Sequence, residues 1–133
     1  MKLTTSKALI TASLGLLLLS GCASHEKQQI AETLAKSRAS EIDSKAPYPK
    51  IDAYQITQAY ASGNTVKINI IYGGKSHVSP SNAAKTAAIN YCNKKEIKPL
   101  FDSGVNYLIT IKDISGRTMA QQSVSKEFCE ELN

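Results

Sequence analysis

The side chains that could do chemistry in this chain of 133 residues are few, and cysteine and histidine are the scarcest of them. The three cysteines are Cys22, Cys92 and Cys129, and the two histidines are His25 and His77. Neither histidine has an evident carboxylate partner that would orient it as a general base. The cysteines do not form a Cys-x-x-Cys motif. The pattern predicts no catalytic residue, no metal site and no cofactor.

The acidic residues and the paired glycines are better explained by structural roles. Asp102, Asp113 and Glu127 stand near predicted turns or helix starts, where capping and the helix dipole favour carboxylates. Gly73-Gly74-Lys75 lacks the rest of a phosphate-binding loop and fits the exit of a hairpin. We therefore expect a protein that is not an enzyme.

The first 21 residues have the layout of a secretory signal peptide. Lys2 and Lys7 form a basic head, residues 8–19 are apolar, and Ser20-Gly21 is a small-residue exit. The apolar run is shorter than the roughly 20 residues that a transmembrane helix needs. Residues 1–21 are therefore predicted to be a cleaved signal, and a retained membrane span is not expected.

The signal ends in Leu19-Ser20-Gly21-Cys22, which resembles the lipobox of bacterial lipoproteins. The resemblance implies that the thiol of Cys22 is acylated before cleavage leaves it as the first mature residue. Several acyl chains would anchor the protein almost permanently. Ala23, rather than Asp, follows the cysteine, and by resemblance to Gram-negative lipoprotein sorting this favours the outer membrane. The alternative is an ordinary secretory signal that happens to end in cysteine.

Cleavage would leave 112 residues, enough for one small domain. Lys and Arg number 16 against 11 acidic residues, and loss of Lys2 and Lys7 lowers the net charge from +5 to about +3. The basic residues are scattered and tryptophan is absent, so we expect no nucleic-acid partner. The expected division is a signal at 1–21, a lipidated polar tether at 22–29, and a single domain at 30–133.

Two thiols remain if Cys22 is lipidated, namely Cys92 and Cys129. In a compartment that oxidises thiols, these two are expected to form one disulfide. A metal-binding pair or a catalytic thiol is the alternative interpretation.

The hydrophobic periodicity predicts the order α-β-β-α-β-β-α. Helical spacing runs from Ile30 to Asp43, and a second helix begins after Ser79-Pro80 with Ala84, Ala88 and Cys92 on one face. A short turn of helix around Pro99 and a final helix capped by Ser125 are also expected.

Two β-hairpins lie between these helices. Residues 51–60 and 66–72 alternate around the turn at 62–64, and residues 105–112 and 118–124 alternate around the turn at 113–116. The predicted fold class is α+β, an antiparallel sheet of two hairpins with the helices packed on one face.

The same alternation predicts which side chains are core and which could bind a partner. The face expected to lie under the helices consists of Tyr54, Ile56, Tyr60, Val66, Ile68, Ile70, Tyr107, Ile109 and Ile111. Four apolar residues fall on the opposite, solvated face, namely Ala59, Ile71, Leu108 and Ala120. Apolar residues in such positions indicate a docking strip, with scattered surface residues of no role as the alternative.

Residues 19–25, 62–71 and 104–113 resemble the AspS class of type II secretion pilotins, also called GspS-beta. The Cys92 and Cys129 pair falls where that family has its disulfide. The similarity covers essentially the whole chain, with the two hairpins most alike and residues 94–100 least alike.

The resemblance implies an α/β pilotin that binds the C-terminal S-domain of a secretin subunit. Such a protein carries the secretin to the outer membrane, where it is itself anchored by lipid. Two other functions are compatible with the sequence. One is a structural or chaperone-like envelope lipoprotein with another client. The other is a periplasmic enzyme inhibitor that uses the loop at 73–79.

Overall fold

The computed structural model describes residues 19–133, with side chains from Ala23 onward, so the predicted signal peptide up to residue 18 lies outside the described residues. The eight elements are α1 (Leu19–Asp43), β1 (Tyr54–Ser62), β2 (Thr65–Tyr72), α2 (Pro80–Cys92), α3 (Lys98–Asp102), β3 (Asn106–Asp113), β4 (Thr118–Val124) and α4 (Lys126–Glu131). The predicted α+β class and element order are confirmed.

Helix α1 begins at Leu19, earlier than the predicted start at Ile30. The residues between Cys22 and Ile30 are mostly good helix formers, so nothing in the sequence stops the helix from extending backwards. Residues 23–30 are all exposed, so this part is a helical stalk rather than part of the core. Its polar surface fits the result that no helix in residues 19–133 has the length and hydropathy of a membrane span.

The four strands form one sheet in the order β1-β2-β3-β4. Each hairpin is antiparallel, but β2 and β3 pair in parallel, which corrects the expectation of a fully antiparallel sheet. The reason is the connection: α2 and α3 carry the chain back to the end of the sheet where β2 began.

A β-bulge in β1 corrects the predicted facing of two residues. Ile56 pairs with Ile70 and Gln58 with Asn69, so Thr57 is an extra residue and the alternation shifts by one. As a result Ala59 is only 4% exposed, in the core, whereas Tyr60 is 43% exposed. Ala59 therefore does not belong to a solvated strip.

Helix α1 packs on β1 and β2, and α2 packs on β3 and β4, all on one face of the sheet. Ala84 and Ala88 of α2 are fully buried, and their small size allows the helix to lie close to the sheet. Tyr107 is the largest fully buried side chain of this core.

The predicted disulfide is present between Cys92 at the end of α2 and Cys129 in α4, with a Cα–Cα distance of 5.4 Å. It attaches the short C-terminal helix to the body of the domain. Ser125 caps that helix by accepting a hydrogen bond from the Phe128 amide.

Replacing both Cys92 and Cys129 with serine should lower the free energy of unfolding by about 4 kcal/mol, within a range of about 2 to 5 kcal/mol. The bond spans 37 residues, and its loss enlarges the conformational freedom of the unfolded chain. Urea denaturation of the variant and the oxidised parent measures the difference. The parent treated with a reductant should match the variant, and an unchanged midpoint would contradict the prediction.

Candidate functional site

An open groove lies between α2 and the segment that leads from α1 into β1. It exists because α1 ends at Asp43, before it could cover the first half of β1, and because residues 44–53 run along the side. The prolines at 47 and 49 exclude helix for this segment. The uncovered sheet forms a groove of about 520 Å³, which we call the binding groove.

The floor and one wall of the binding groove are built by regular elements. Ile56, Ile70 and Ile111, from three neighbouring strands, form the floor. The α2 wall presents Ala83, Thr86, Ala87 and Asn90, four positions at the spacing of one helical face. Because these side chains are short, α2 leaves the groove wide.

The opposite wall is formed by the α1–β1 connection, with Tyr48, Pro49 and Ile51. Ile51 is 79% exposed, so most of its apolar side chain is available at the rim of the groove. The Tyr48 amide donates to the Ile56 carbonyl at 3.0 Å, and the Tyr48 hydroxyl donates to the Ile42 carbonyl at 3.1 Å. These bonds fix the wall against both α1 and β1.

One end of the binding groove is closed by a latch between its two walls. The Ser76 hydroxyl donates to the Asp52 carboxylate, and the Tyr54 hydroxyl donates to the Val78 carbonyl at 2.6 Å. Asp52 has a left-handed backbone, with φ of 54°, an uncommon conformation for a non-glycine residue. The latch places Val78, itself 43% exposed, at the end of the groove.

An aromatic cluster joins α1 to α2 beyond the groove. The Tyr91 and Tyr107 rings stack with centroids 4.9 Å apart, and Arg38 Nε donates to the Tyr107 hydroxyl at 3.3 Å. Burial raises the pKa of Tyr91 to about 12, so its hydroxyl stays neutral at physiological pH. The cluster holds the two helices at a fixed separation and therefore helps to set the groove width.

The binding groove carries little charge. Asp52 is its one ionisable carboxylate, and it is engaged by Ser76. The polar groups of Gln55, Thr86 and Asn90 stand among apolar neighbours. Such a surface suits an amphipathic partner that offers an apolar stripe, not an ionic ligand.

The four residues predicted as a docking strip do not come together. Ala120 pairs with the core residue Ile111 on the helix-covered face, where Ala59 also lies. Ile71 and Leu108 do lie on the outer face, and Ile71 is partly exposed there. Val124 is fully buried, and Ala120, four positions earlier in β4, has the same parity, so the alternation within this strand places Ala120 on the core face as well.

A polar band separates Ile71 from Leu108 on the outer face of the sheet. Asn69 pairs with Thr110 between them. The Asn69 amide donates to Gln58 at 3.1 Å, and the Gln121 amide donates to Thr110 at 3.2 Å. Hydrogen-bonded polar side chains, one on each of the four strands, make this face a poor apolar docking surface.

The other chemistry-bearing residues lie apart from the groove. His25 is exposed on the α1 stalk, within 3.2 Å of the Gln29 amide, and His77 is exposed in the loop before α2. No three His, Cys, Asp or Glu residues cluster in a way that could hold a metal ion within residues 19–133. For Cys22 the structure describes only the backbone, inside α1, so its lipidation stays a prediction.

The sequence did not reveal the binding groove, although one signal for it is present. Helix α2 carries small side chains on two adjacent faces. Ala84 and Ala88 face the sheet, and Ala83 and Ala87 lie beside them. The first pair is explained by close packing, but the second is not needed for that contact. A second row of small residues therefore indicated an open space along the helix.

Comparison with known proteins places this fold in one family. The model of the type II secretion system pilotin S protein matches residues 27–129. Pilotin AspS 2 of Escherichia coli O78:H11 (strain H10407 / ETEC) is 33% identical over 114 residues, which is 84% of this chain and 82% of that protein. Lipoprotein YghG of Escherichia coli K12 is similar to the same extent.

Solved structures agree with this. The pilotin AspS from Vibrio cholerae is 31% identical, with a TM-score of 0.71 over 80% of this chain and 99% of that one. The pilotin EpsS of the Vibrio vulnificus type 2 secretion system is 22% identical with a TM-score of 0.71, over 79% of this chain and 96% of that one, which shows the shared fold. The chain is therefore a member of the type II secretion pilotin family, a non-enzymatic component of secretion.

Proposed function

We propose that this protein is an outer-membrane lipoprotein that binds a helix from the C-terminal S-domain of a type II secretion secretin and delivers the secretin to the outer membrane. The observation that carries the proposal is the open apolar groove between α2 and the α1–β1 connection. An isolated domain rarely leaves such a surface uncovered unless a partner fills it.

The groove has the form that helix-in-groove recognition requires. Its α2 wall presents small side chains at i, i+3, i+4 and i+7, between which the ridges of a second helix can pack. Ile51 and Val78 stand at its rim and would be buried by the partner. An interface of about 800 Å² on each side would be of standard size.

The stalk gives this domain reach from the membrane. Ala31 is the first core residue, nine positions after Cys22, and a helix rises about 1.5 Å per residue. The acyl chains on Cys22 would thus be attached roughly 14 Å from the start of the folded body. A carrier for a secretin needs a lipid anchor that fixes it to the membrane and a groove that is held away from the membrane surface.

Binding of the secretin helix should depend on apolar contact and little on salt. The test is calorimetry of the non-acylated chain from residue 23 with a synthetic peptide of the C-terminal helix of the secretin encoded in the same genome. Core residues lie between Ala31 and Val124, so this chain keeps the whole fold. Affinity should change little from low to moderate salt, since apolar burial is not screened.

Two isoleucine-to-aspartate variants identify the surface that binds the peptide. Ile51→Asp, in the groove wall, should weaken peptide binding strongly, whereas Ile71→Asp, on the outer face, should leave it nearly unchanged. Both side chains are exposed, so neither change should lower the thermal midpoint much. No binding by the parent would overturn the proposed function, and a loss seen only in Ile71→Asp would move the site to the outer face.

The structure offers no specific support for the inhibitor alternative. The loop at 73–79 is held by Asp52 and Tyr54 through Ser76 and Val78. It is part of the latch that closes the binding groove.

A further inference from the structure

The exposed isoleucine of the groove wall, Ile51, is carried by a tight turn. The Ile51 amide donates to the Tyr54 carbonyl at 2.9 Å, and the reverse bond measures 3.0 Å. Asp52 and Ala53 therefore form a turn of two residues, which requires a positive φ at the first of them. Asp52 meets this requirement with φ of 54°. The Ala53 carbonyl accepts from the Gly73 amide at 2.8 Å, which fixes the turn to the end of β2.

Asp52 connects this turn to the opposite side of the groove through a relay of hydrogen bonds. Its carboxylate accepts from the Ser76 hydroxyl, and the same hydroxyl oxygen accepts from the Val78 amide at 3.0 Å. The Val78 carbonyl accepts from the Tyr54 hydroxyl at 2.6 Å. Both backbone groups of Val78 are thus tied to the turn, one directly and one through Ser76. Because Val78 directly precedes the cap residue of α2, the relay joins the two walls.

The relay fixes the backbone of two apolar residues on opposite sides of the groove end. Ile51 is largely exposed, Val78 is partly exposed, and both line the groove. Loop residues that become ordered only when a partner binds reduce the affinity by the entropy that they lose. Here the hydrogen bonds order the two residues before binding, so they form a pair of contacts that is ready for a helix between them.

The turn itself does not require an aspartate. Glycine adopts a left-handed backbone without a steric penalty, so the geometry of the turn alone would favour glycine at position 52. What Asp52 adds is the carboxylate that reaches Ser76. This side chain therefore serves the connection between the walls and not the local conformation.

We infer that Asp52 is a positioning residue for partner binding: through Ser76 it holds Ile51 and Val78 as a preformed pair that receives the secretin helix. The inference rests on the proposed function, because the pair serves a helix that lies in the groove. It assigns part of the affinity to the order of the free domain, and no contact between Asp52 and the partner is needed.

Calorimetry of the chain from residue 23 with the secretin helix peptide tests the inference in three variants. Asp52→Gly allows the left-handed turn but lacks the carboxylate, and Ser76→Ala lacks the relay hydroxyl. Each should weaken binding about tenfold, because the two rim residues would then be ordered only on binding. Asp52→Asn keeps an acceptor oxygen and tolerates the left-handed backbone, so it should restore most of the affinity. The thermal midpoint of Asp52→Gly should hardly change, since relief of the backbone offsets the lost hydrogen bond.

A background without the two apolar side chains separates positioning from a general effect on the fold. In Ile51→Ala/Val78→Ala, the further change Asp52→Gly should cost little additional affinity, because the side chains that Asp52 positions are gone. The matched control is Lys75→Gly. It replaces a second left-handed residue, with φ of 59°, whose exposed side chain is outside the relay, and it should bind the peptide as the parent does.

Parent-like affinity in Asp52→Gly or Ser76→Ala would overturn the inference and leave the proposed function standing. The same holds if Asp52→Asn binds as weakly as Asp52→Gly, or if Asp52→Gly costs as much in the alanine background as in the parent. An equal loss in Lys75→Gly would also overturn it, since any glycine in this loop would then have the same effect. If the helix does not bind the parent at all, the proposed function and this inference both fall.

Discussion

Replacing Cys22 with alanine should leave the chain without a lipid anchor, because this thiol is the one acyl acceptor that the predicted signal sequence would position for processing. Each methylene buried in lipid contributes about 0.8 kcal/mol, so two or three acyl chains would hold the protein almost permanently. No helix in residues 19–133 could replace them by spanning the membrane. Labelled fatty acid should therefore be absent from the variant, and the protein should leave the membrane fraction or remain uncleaved.

Ser24→Ala is the matched control for this experiment, since it introduces the same residue two positions later and leaves the acceptor intact. It should incorporate label and remain in the outer-membrane fraction. Persistent label on the Cys22→Ala protein would refute lipidation at this residue. Label with normal cleavage but residence in the inner membrane would leave lipidation standing and overturn the proposed location.

Most of the local structure could be predicted from the sequence because periodicity is a local property. The alternation in residues 66–72 and 105–112 matches β2 and β3 closely, and the Ser79-Pro80 start of α2 is observed with Ser79 as its cap. The early start of α1 was not predicted because residues 23–30 are all exposed. They favour a helix by propensity but show no repeating apolar pattern.

The wrong predictions of which sheet face a side chain lies on come from features that the alternation of apolar and polar residues does not encode. A single extra residue at Thr57 transfers Ala59 to the core and Tyr60 to the surface, and no local signal marks the bulge. The parallel pairing of β2 with β3 likewise depends on where α2 returns the chain. Both follow from contacts between distant segments, and these decide which apolar residues are available to a partner.

The binding groove was the hardest feature to predict, because it is defined by what fails to cover the sheet. Helix α1 stops at Asp43, and α2 offers short side chains where longer ones would fill the space. Sequence patterns indicate which residues are buried. To predict a groove, one must also know where the two helices end relative to the sheet that they cover. The residues that line the groove along α2, such as Ala83 and Ala87, are therefore chemically inconspicuous.

Filling the groove should weaken partner binding strongly without harming the fold. In Ala87→Phe the phenyl ring would extend from α2 over the floor formed by Ile56 and Ile70, into the space that the partner helix needs. Overlap with a packed helix should cost about 100-fold in affinity, equivalent to about 2.8 kcal/mol. The thermal midpoint should stay the same or rise slightly, since the ring covers apolar surface that is now open. Peptide calorimetry and thermal denaturation of the same preparation measure the two effects.

The control is Lys85→Phe, which places the same ring on the exposed side of the same helix. It should bind the peptide as the parent does, which separates obstruction of the groove from any general effect of an added aromatic residue on α2. A fall in midpoint for Ala87→Phe alone would mean that the ring is forced into the core, and Ala83→Phe, one turn earlier on the same wall, then repeats the test. Full peptide affinity in a stably folded groove variant would show that the helix docks elsewhere, since no helix can occupy this groove and share it with a phenyl ring.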